Sequence, residues 1–307
     1  MRQLNQNPRS RFSDQILGGT SLAIAIVLSA CTQIQTQASN PTTAQPTASP
    51  QIETKQLSDG VQEKPQNYQR LIADYDRAIQ LNPNDAIAYN NRGFARNKLG
   101  DKKGAIADYD QAIQLNPDFA EAYNNRGIAR ADLGDKKGAI EDYDQAIRLN
   151  PNYAKAYSNR GNVYNELGDR RSAIQNHDRA IQLQPDFAEA YSNRGVTRFD
   201  LDDLKGAVED FDQAIRLKPN YAKAYYHRGN TRFLKLRNPK DAIPDYDQAI
   251  RLNPDFAPAY SNRGLAYGIS GNRQAAISDL QKAADLFQRQ GNTENYQKVI
   301  KLLEKLR

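Results

Sequence analysis

The sequence predicts an all-α protein built from stacked helical hairpins, and three observations carry that prediction. Six prolines, Pro83, Pro117, Pro151, Pro185, Pro219 and Pro254, stand 34, 34, 34, 34 and 35 residues apart. A fixed period of this size marks a repeat architecture. A short motif recurs in step with them: AYNNRG at 88–93 and 122–127, AYSNRG at 156–161, 190–195 and 259–264, and AYYHRG at 224–229. Finally, each period holds two stretches of helical periodicity. In residues 120–153 the first ends at Leu133-Gly134-Asp135 and the second at Leu149-Asn150-Pro151. The Gly stops one helix, the Asp can cap the next, and the Pro ends it.

The elements follow in chain order. Residues 1–15 carry three arginines and one aspartate, and an apolar run from Ile16 to Ala30 stops at Cys31. A charged segment followed by an apolar one of this length reads as a secretory signal, too short for a comfortable membrane span. The ending Leu28-Ser29-Ala30-Cys31 resembles the lipobox of bacterial lipoproteins. That resemblance implies cleavage after residue 30, a thioether lipid on Cys31, and a protein anchored to a bacterial membrane on its periplasmic or other extracytoplasmic side. Acyl chains contribute roughly 0.8 kcal/mol per buried methylene, enough for stable anchoring when two or three are present. Residues 31–66, from the lipidated Cys onward, are rich in Gln, Thr, Ser and Pro and too poor in large apolar side chains to fold, so they form a tether. Residues 67–85 supply a half repeat, a lone second helix. Six full units occupy 86–119, 120–153, 154–187, 188–221, 222–256 and 257–290, and residues 291–307 close the array with a capping helix.

The unit resembles the tetratricopeptide repeat on particular residues: Tyr123 early in the first helix, Gly127 in its middle, then Ala139, Tyr143, Ala146 and the terminal Pro151. The resemblance covers residues 86 to about 290. It implies a right-handed superhelical solenoid whose concave wall is made by the first helices (A), with the second helices (B) behind them.

The mid-helix glycines need a reason, because each costs about 1 kcal/mol against Ala. Gly93, Gly127, Gly161, Gly195, Gly229 and Gly264 are therefore expected where helix A comes too close to helix B for a side chain. The facing surface is expected to be Ala105, Ala139, Ala173, Ala207, Ala242 and Ala276. Arg92, Arg126, Arg160, Arg194, Arg228 and Arg263 follow the same period, with second arginines at Arg96, Arg130, Arg198 and Arg232. A half-buried Arg needs an anion. The matching series Asp108, Asp142, Asp210, Asp245 and Asp279, with Asn176 as the exception, predicts pairs that stitch A to B.

The formal charge of +6 is too mixed to argue for nucleic acid. One cysteine and two histidines leave no material for a disulfide framework or a metal centre. No glycine-rich phosphate loop or nucleophile–base pair is present, so no catalytic residue, cofactor or metal is expected, and the protein reads as a non-enzyme.

By the family's register, the sixth position of each unit lies on the groove wall: Asn91, Asn125, Asn159, Asn193, His227 and Asn262. An amide offers an acceptor and two donors, so it can clamp a peptide unit. The resemblance here is to the asparagine ladder of O-linked N-acetylglucosamine transferase, which implies binding of extended polypeptide. Second-position charges alternate as Glu121, Lys155, Glu189 and Lys223. Phe199, Tyr226, Phe233, Leu234 and Ile269 make an apolar stretch expected to serve as a pocket for anchor side chains. Pro244 in the 35-residue unit predicts a local bend. The functional expectation is a membrane-anchored scaffold that binds a protein or peptide in its groove, an assembly factor for envelope complexes. The alternative is a module that self-associates through its terminal helices, residues 292–307 above all.

Overall fold

The computed structural model describes residues 65–306. The signal segment, Cys31 and the tether up to residue 64 lie outside the described residues. Among the described residues the chain is all-α, with fourteen α-helices, one π-helical turn and no strand.

The half repeat is α1 (Pro65–Leu81). The A helices are α2 (Ala86–Lys98), α4 (Ala120–Asp132), α6 (Ala154–Glu166), α8 (Ala188–Asp200), α10 (Ala222–Asn230) and α12 (Ala257–Ile269). The B helices are α3 (Lys102–Leu115), α5 (Lys136–Leu149), α7 (Arg170–Leu183), α9 (Leu204–Leu217), α11 (Pro239–Leu252) and α13 (Arg273–Arg289). The closing helix is α14 (Thr293–Leu306). Two compact units divide the chain between Pro185 and Asp186. The first carries α1–α7 and the second α8–α14; each is a run of antiparallel hairpins packed in chain order.

The local chemistry of each hairpin is visible in its turns. Asp101, Asp135, Asp169 and Asp203 cap their B helices, each Oδ1 accepting the N–H three residues on. Between A and B the chain turns through a left-handed residue. That residue is Gly100, Gly134, Gly168 or Gly271 in four repeats, at φ 84–90°, but Asp202 (φ 60°) and Arg237 (φ 52°) in the other two. After helix B, Asn116, Asn150 and Asn253 turn the chain by accepting the N–H two residues later.

The mid-helix glycines sit at the closest A–B approach, and what faces them differs from expectation. A Cβ at Gly127 would lie 2.8 Å from Tyr143 Cε1, and one at Gly195 the same distance from Phe211 Cε1. At Gly161 the facing ring is His177, and at Gly264 the facing side chain is Leu280. The large side chain of helix B, rather than its alanine, fills the space above the glycine. The expected alanines are fully buried beside it, and at Gly93 the Ala105 carbonyl is the second contact, at 3.1 Å.

The Arg–Asp pairs form as the sequence predicts. Arg92 binds Asp108 at 2.6 Å, Arg126 binds Asp142 at 2.5 Å, and the same pairing joins Arg194 to Asp210, Arg228 to Asp245 and Arg263 to Asp279. Arg160 donates to Asn176 instead. The second arginines, Arg96, Arg130, Arg198 and Arg232, close on the same aspartates.

A further contact accompanies these pairs. Five of these guanidinium groups also reach back to helix B of the preceding hairpin: Arg92 to Asp76, Arg126 to Asp110, Arg160 to Asp144, Arg228 to Asp212 and Arg263 to Asp247. One arginine thereby ties three helices. It also stacks on the tyrosine three residues earlier, as Arg126 does over Tyr123 at 5.4 Å. The hydrogen bond to Asp108, working against burial, holds the Arg92 pKa above its ordinary value.

The extra residue of the fifth unit is absorbed by the backbone. Helix α10 gives way to a π-helical turn, Thr231–Lys235, closed by the Leu236 N–H donating to Thr231 O, five residues back. Such single-turn bulges accommodate an inserted residue inside a helix. Pro244 sits in α11 and is exposed.

Candidate functional site

The sixth-position residues divide into two groups. Asn91 and Asn193 are partly exposed, whereas Asn125, Asn159, His227 and Asn262 are buried. The buried amides serve the joints between hairpins. In the first unit Asn159 Nδ2 donates to Asn124 Oδ1 at 2.9 Å, and Asn124 Nδ2 donates to Asn125 Oδ1 at 3.3 Å. Asn125 Nδ2 then donates to Asn90 Oδ1 at 3.0 Å, and Asn90 Nδ2 to Asn91 Oδ1 at 3.2 Å. Five amides form one directional chain across three successive A helices, ending near the Tyr75 hydroxyl, which bonds Asn91. Hydrogen bonds in such a chain polarise one another.

This corrects the picture of an open amide ladder at Asn125, Asn159 and Asn262. The sixth position leans into the preceding A helix, and its donor is used there. The fifth-position partners, Asn90 and Asn124, went unnoticed; the signal was the doubled Asn in AYNNRG, present only in the first two units.

The fifth and sixth repeats use a variant of the joint. Asn262 Nδ2 donates to Asn230 Oδ1 at 2.8 Å, which also accepts from Tyr246 Oη at 2.9 Å. His227 stacks on Phe211 with ring centroids 5.8 Å apart and meets Tyr226 edge-on at 5.3 Å. Burial, with a smaller push from Lys223, lowers its pKa to about 3, so it sits there as a neutral ring.

The proposed apolar pocket is likewise core. Phe199 packs with Val196, Ala207 and Phe211, and Leu234 lies against them. Tyr226 and Phe233 belong to the larger core of the second unit, with Leu234 and Ile269 at its margin. Phe199, Tyr226 and Phe233 are buried there and are not free to take anchors from a guest, while Leu234 and Ile269 are partly exposed.

What the A helices present outward is charge. Glu121, Lys155, Glu189 and Lys223 are all partly exposed. Several A-helix acids are bridged by lysines at or beside the ends of B helices: Asp132 by Lys102 at 3.1 Å, Glu166 by Lys136 at 3.0 Å and Glu189 by Lys218 at 2.7 Å. These A helices thus carry half-exposed charges and buried amides. Among the described residues no cluster of His, Cys, Asp and Glu could hold a metal ion, and no helix is long and apolar enough to cross a membrane.

Hairpins of this kind, tied by a recurrent three-helix arginine, define a helical-repeat scaffold. The chain belongs to the tetratricopeptide repeat family. Models described as TPR repeat and Tetratricopeptide repeat together match 62–235 and 240–290, in segments 62–123, 108–141, 129–168, 161–202, 197–235, 240–271 and 257–290. The break at 236–239 falls on the turn after the π-helical residues.

Among solved structures, the APC/C hetero-tetramer Cut9–Hcn1 is similar at a TM-score of 0.68 and 19% identity, covering 78% of this chain and 46% of that one. A tetratricopeptide repeat protein from Parabacteroides merdae is similar at 0.59 and 19%, covering 78% and 99%. PilF of Pseudomonas aeruginosa is similar at 0.56 and 20%, covering 75% and 97%. These likenesses concern the fold. The chain spans under half the length of the first of them. No relative was found among the curated proteins.

Proposed function

We propose that this protein is a non-catalytic scaffold that binds polypeptide along the outward face of its A helices, tethered to a bacterial membrane through Cys31 and serving the assembly of envelope complexes. Family membership supports the interaction-scaffold class. The observation that carries the finer reading is the row of half-exposed charges on successive A helices, whose buried amides are already committed to the fold. Glu121 and Lys155 occupy the same place on adjacent A helices with opposite sign. A guest held there is read by charge register. The anchor rests on the sequence Leu28-Ser29-Ala30-Cys31.

The test is photo-cross-linking in membranes with a reactive side chain at position 121 or 155, and partners identified by mass spectrometry. A client captured from both positions and lost on Glu121→Lys/Lys155→Glu supports the reading. Capture that ignores the charge exchange, or that arises only from the outer face of the B helices, overturns it. Cys31→Ser is expected to move the protein from the membrane to the soluble fraction; retention in the membrane would sink the anchor.

A further inference from the structure

The two ends of the described chain differ in a way that points to a partner. At one end α14 buries Val299, Leu302, Leu303 and Leu306 and turns Lys301, Glu304 and Lys305 to solvent. A repeat array needs such a polar terminal cover. At the other end α1 is amphipathic yet has no buried residue.

The repeat itself shows what α1 lacks. Leu71, Asp74, Tyr75, Ala78 and Leu81 share one face of α1, at helical spacing. Their counterparts 34 residues on are Ala105, Asp108, Tyr109, Ala112 and Leu115. The first four of these are buried, because α2 covers them. In α1 the corresponding positions are only half-buried, and Leu81 is 88% exposed. Its counterparts Leu115, Leu149, Leu183, Leu217 and Leu252 are all partly covered. Asp74, the counterpart of the acceptor for the repeating Arg, has Arg77 of its own helix at 3.8 Å.

Two features choose the occupant. Every full hairpin places Ala where α1 has Leu71, and at Gly93 a Cβ would already meet the Ala105 carbonyl at 3.1 Å. Those alanines are fully buried, so a glycine-bearing A helix packed as closely as elsewhere leaves no room for the larger Leu71. Leu71 suits a helix pair at the ordinary 8–10 Å separation between axes. The face is also self-complementary in charge. Asp74 lies between Arg70, four residues before it, and Arg77, three after, so an antiparallel copy brings Asp74 of one chain to an arginine of the other. Two-fold pairing demands that kind of match, the same patch meeting itself.

We infer that the protein forms a two-fold dimer by packing α1 of one copy antiparallel on α1 of a second, burying Leu71, Tyr75, Ala78 and Leu81. The outer face of α14 carries Lys301, Glu304 and Lys305 and no apolar stripe of this kind, so association through α1 stops at two copies and does not run on into a filament. This relocates self-association from residues 292–307 to the half repeat. It stands independently of the groove reading.

The experiment is sedimentation equilibrium of the full chain in density-matched detergent. The wild type is expected at twice the mass of the single processed chain. Leu71→Asp and Leu81→Asp, each placing a charge on the face without touching a buried residue, are expected at one chain with unchanged helical circular dichroism. A wild type that sediments as one chain overturns the proposal. So does a dimer that survives Leu71→Asp, or one that is lost only when residues 293–307 are removed.

Discussion

At the scale of single residues, the repeated Asn is a joint between hairpins. Asn124 is the middle of the amide chain, donating to Asn125 and accepting from Asn159. Asn124→Ala leaves one buried donor and one buried acceptor unmatched, so it should destabilise the first unit by about 1–3 kcal/mol. Urea unfolding checks this, and Asn124→Ser, the residue type nature uses at 158, 192 and 261, should recover part of the loss. His227 makes a different prediction. Its folded pKa, about 3, lies below the ordinary 6.5, so the unfolded chain binds the proton more readily. The neutral ring's contribution is complete above pH 6.5 and drains as pH falls toward 3, by about 1.4 kcal/mol per unit once within that window. Thermal midpoints at pH 7.5 and 5.5 should separate for the wild type more than for His227→Phe, which keeps the aromatic stack without the titration. Equal separations would show that the ring does not govern the acid response.

At the scale of elements, the sequence made most of the hairpins legible, because helix stops and caps are local chemistry. Gly134 with Asp135 announces one turn and Pro151 the next, and the Arg–Asp series could be read because a half-buried cation requires an anion. The contacts that escaped reading are those whose partner lies a period away in a direction that spacing alone does not give. Arg126 to Asp110 is one; the lean of Asn125 toward Asn90 is another. The wall and pocket assignments of Asn159, Tyr226 and Phe233 failed for the same reason: a register says which face a residue is on, but not how far the next hairpin overlaps it. Pro244, the visible irregularity of the fifth unit, lies in α11 and not in the π turn. The signature of the π turn is the extra residue of the 35-residue unit, which puts the left-handed position at Arg237, 35 residues after Asp202. A side chain there costs roughly 1 kcal/mol that Gly would not. Arg237→Gly should therefore raise stability by up to about that amount. Asp202→Gly should gain less, because Asp202 holds Lys235 at 2.6 Å. A differential scanning measurement that ranks the two in the opposite order would mean that the Lys235 bridge contributes nothing.

At the scale of the molecule, a chain of nearest-neighbour hairpins has no central core to average out a local loss, so its stability is a sum over joints. The three-helix arginines and the amide chain are such joints. Removing an end element should then weaken the adjoining repeat and leave distant ones nearly untouched. Truncation after residue 292 removes α14 and with it Val299, Leu302, Leu303 and Leu306 from the core shared with Leu280, Leu286 and Phe287. It also removes the carbonyl of Leu306 that accepts from Arg273 Nε at 2.7 Å. Each buried apolar side chain is worth about 1.5–3 kcal/mol, so the loss exceeds what a single hairpin can absorb. Native-state hydrogen exchange should show protection falling by orders of magnitude in α12 and α13, while α2–α6 exchange as before. Protection lost evenly along the chain would mean that the repeats unfold as one body, and the joint-by-joint account would fail. Protection kept in α13 would mean that α14 is a passenger, and the closed end from which the dimer argument starts would then have to be found elsewhere.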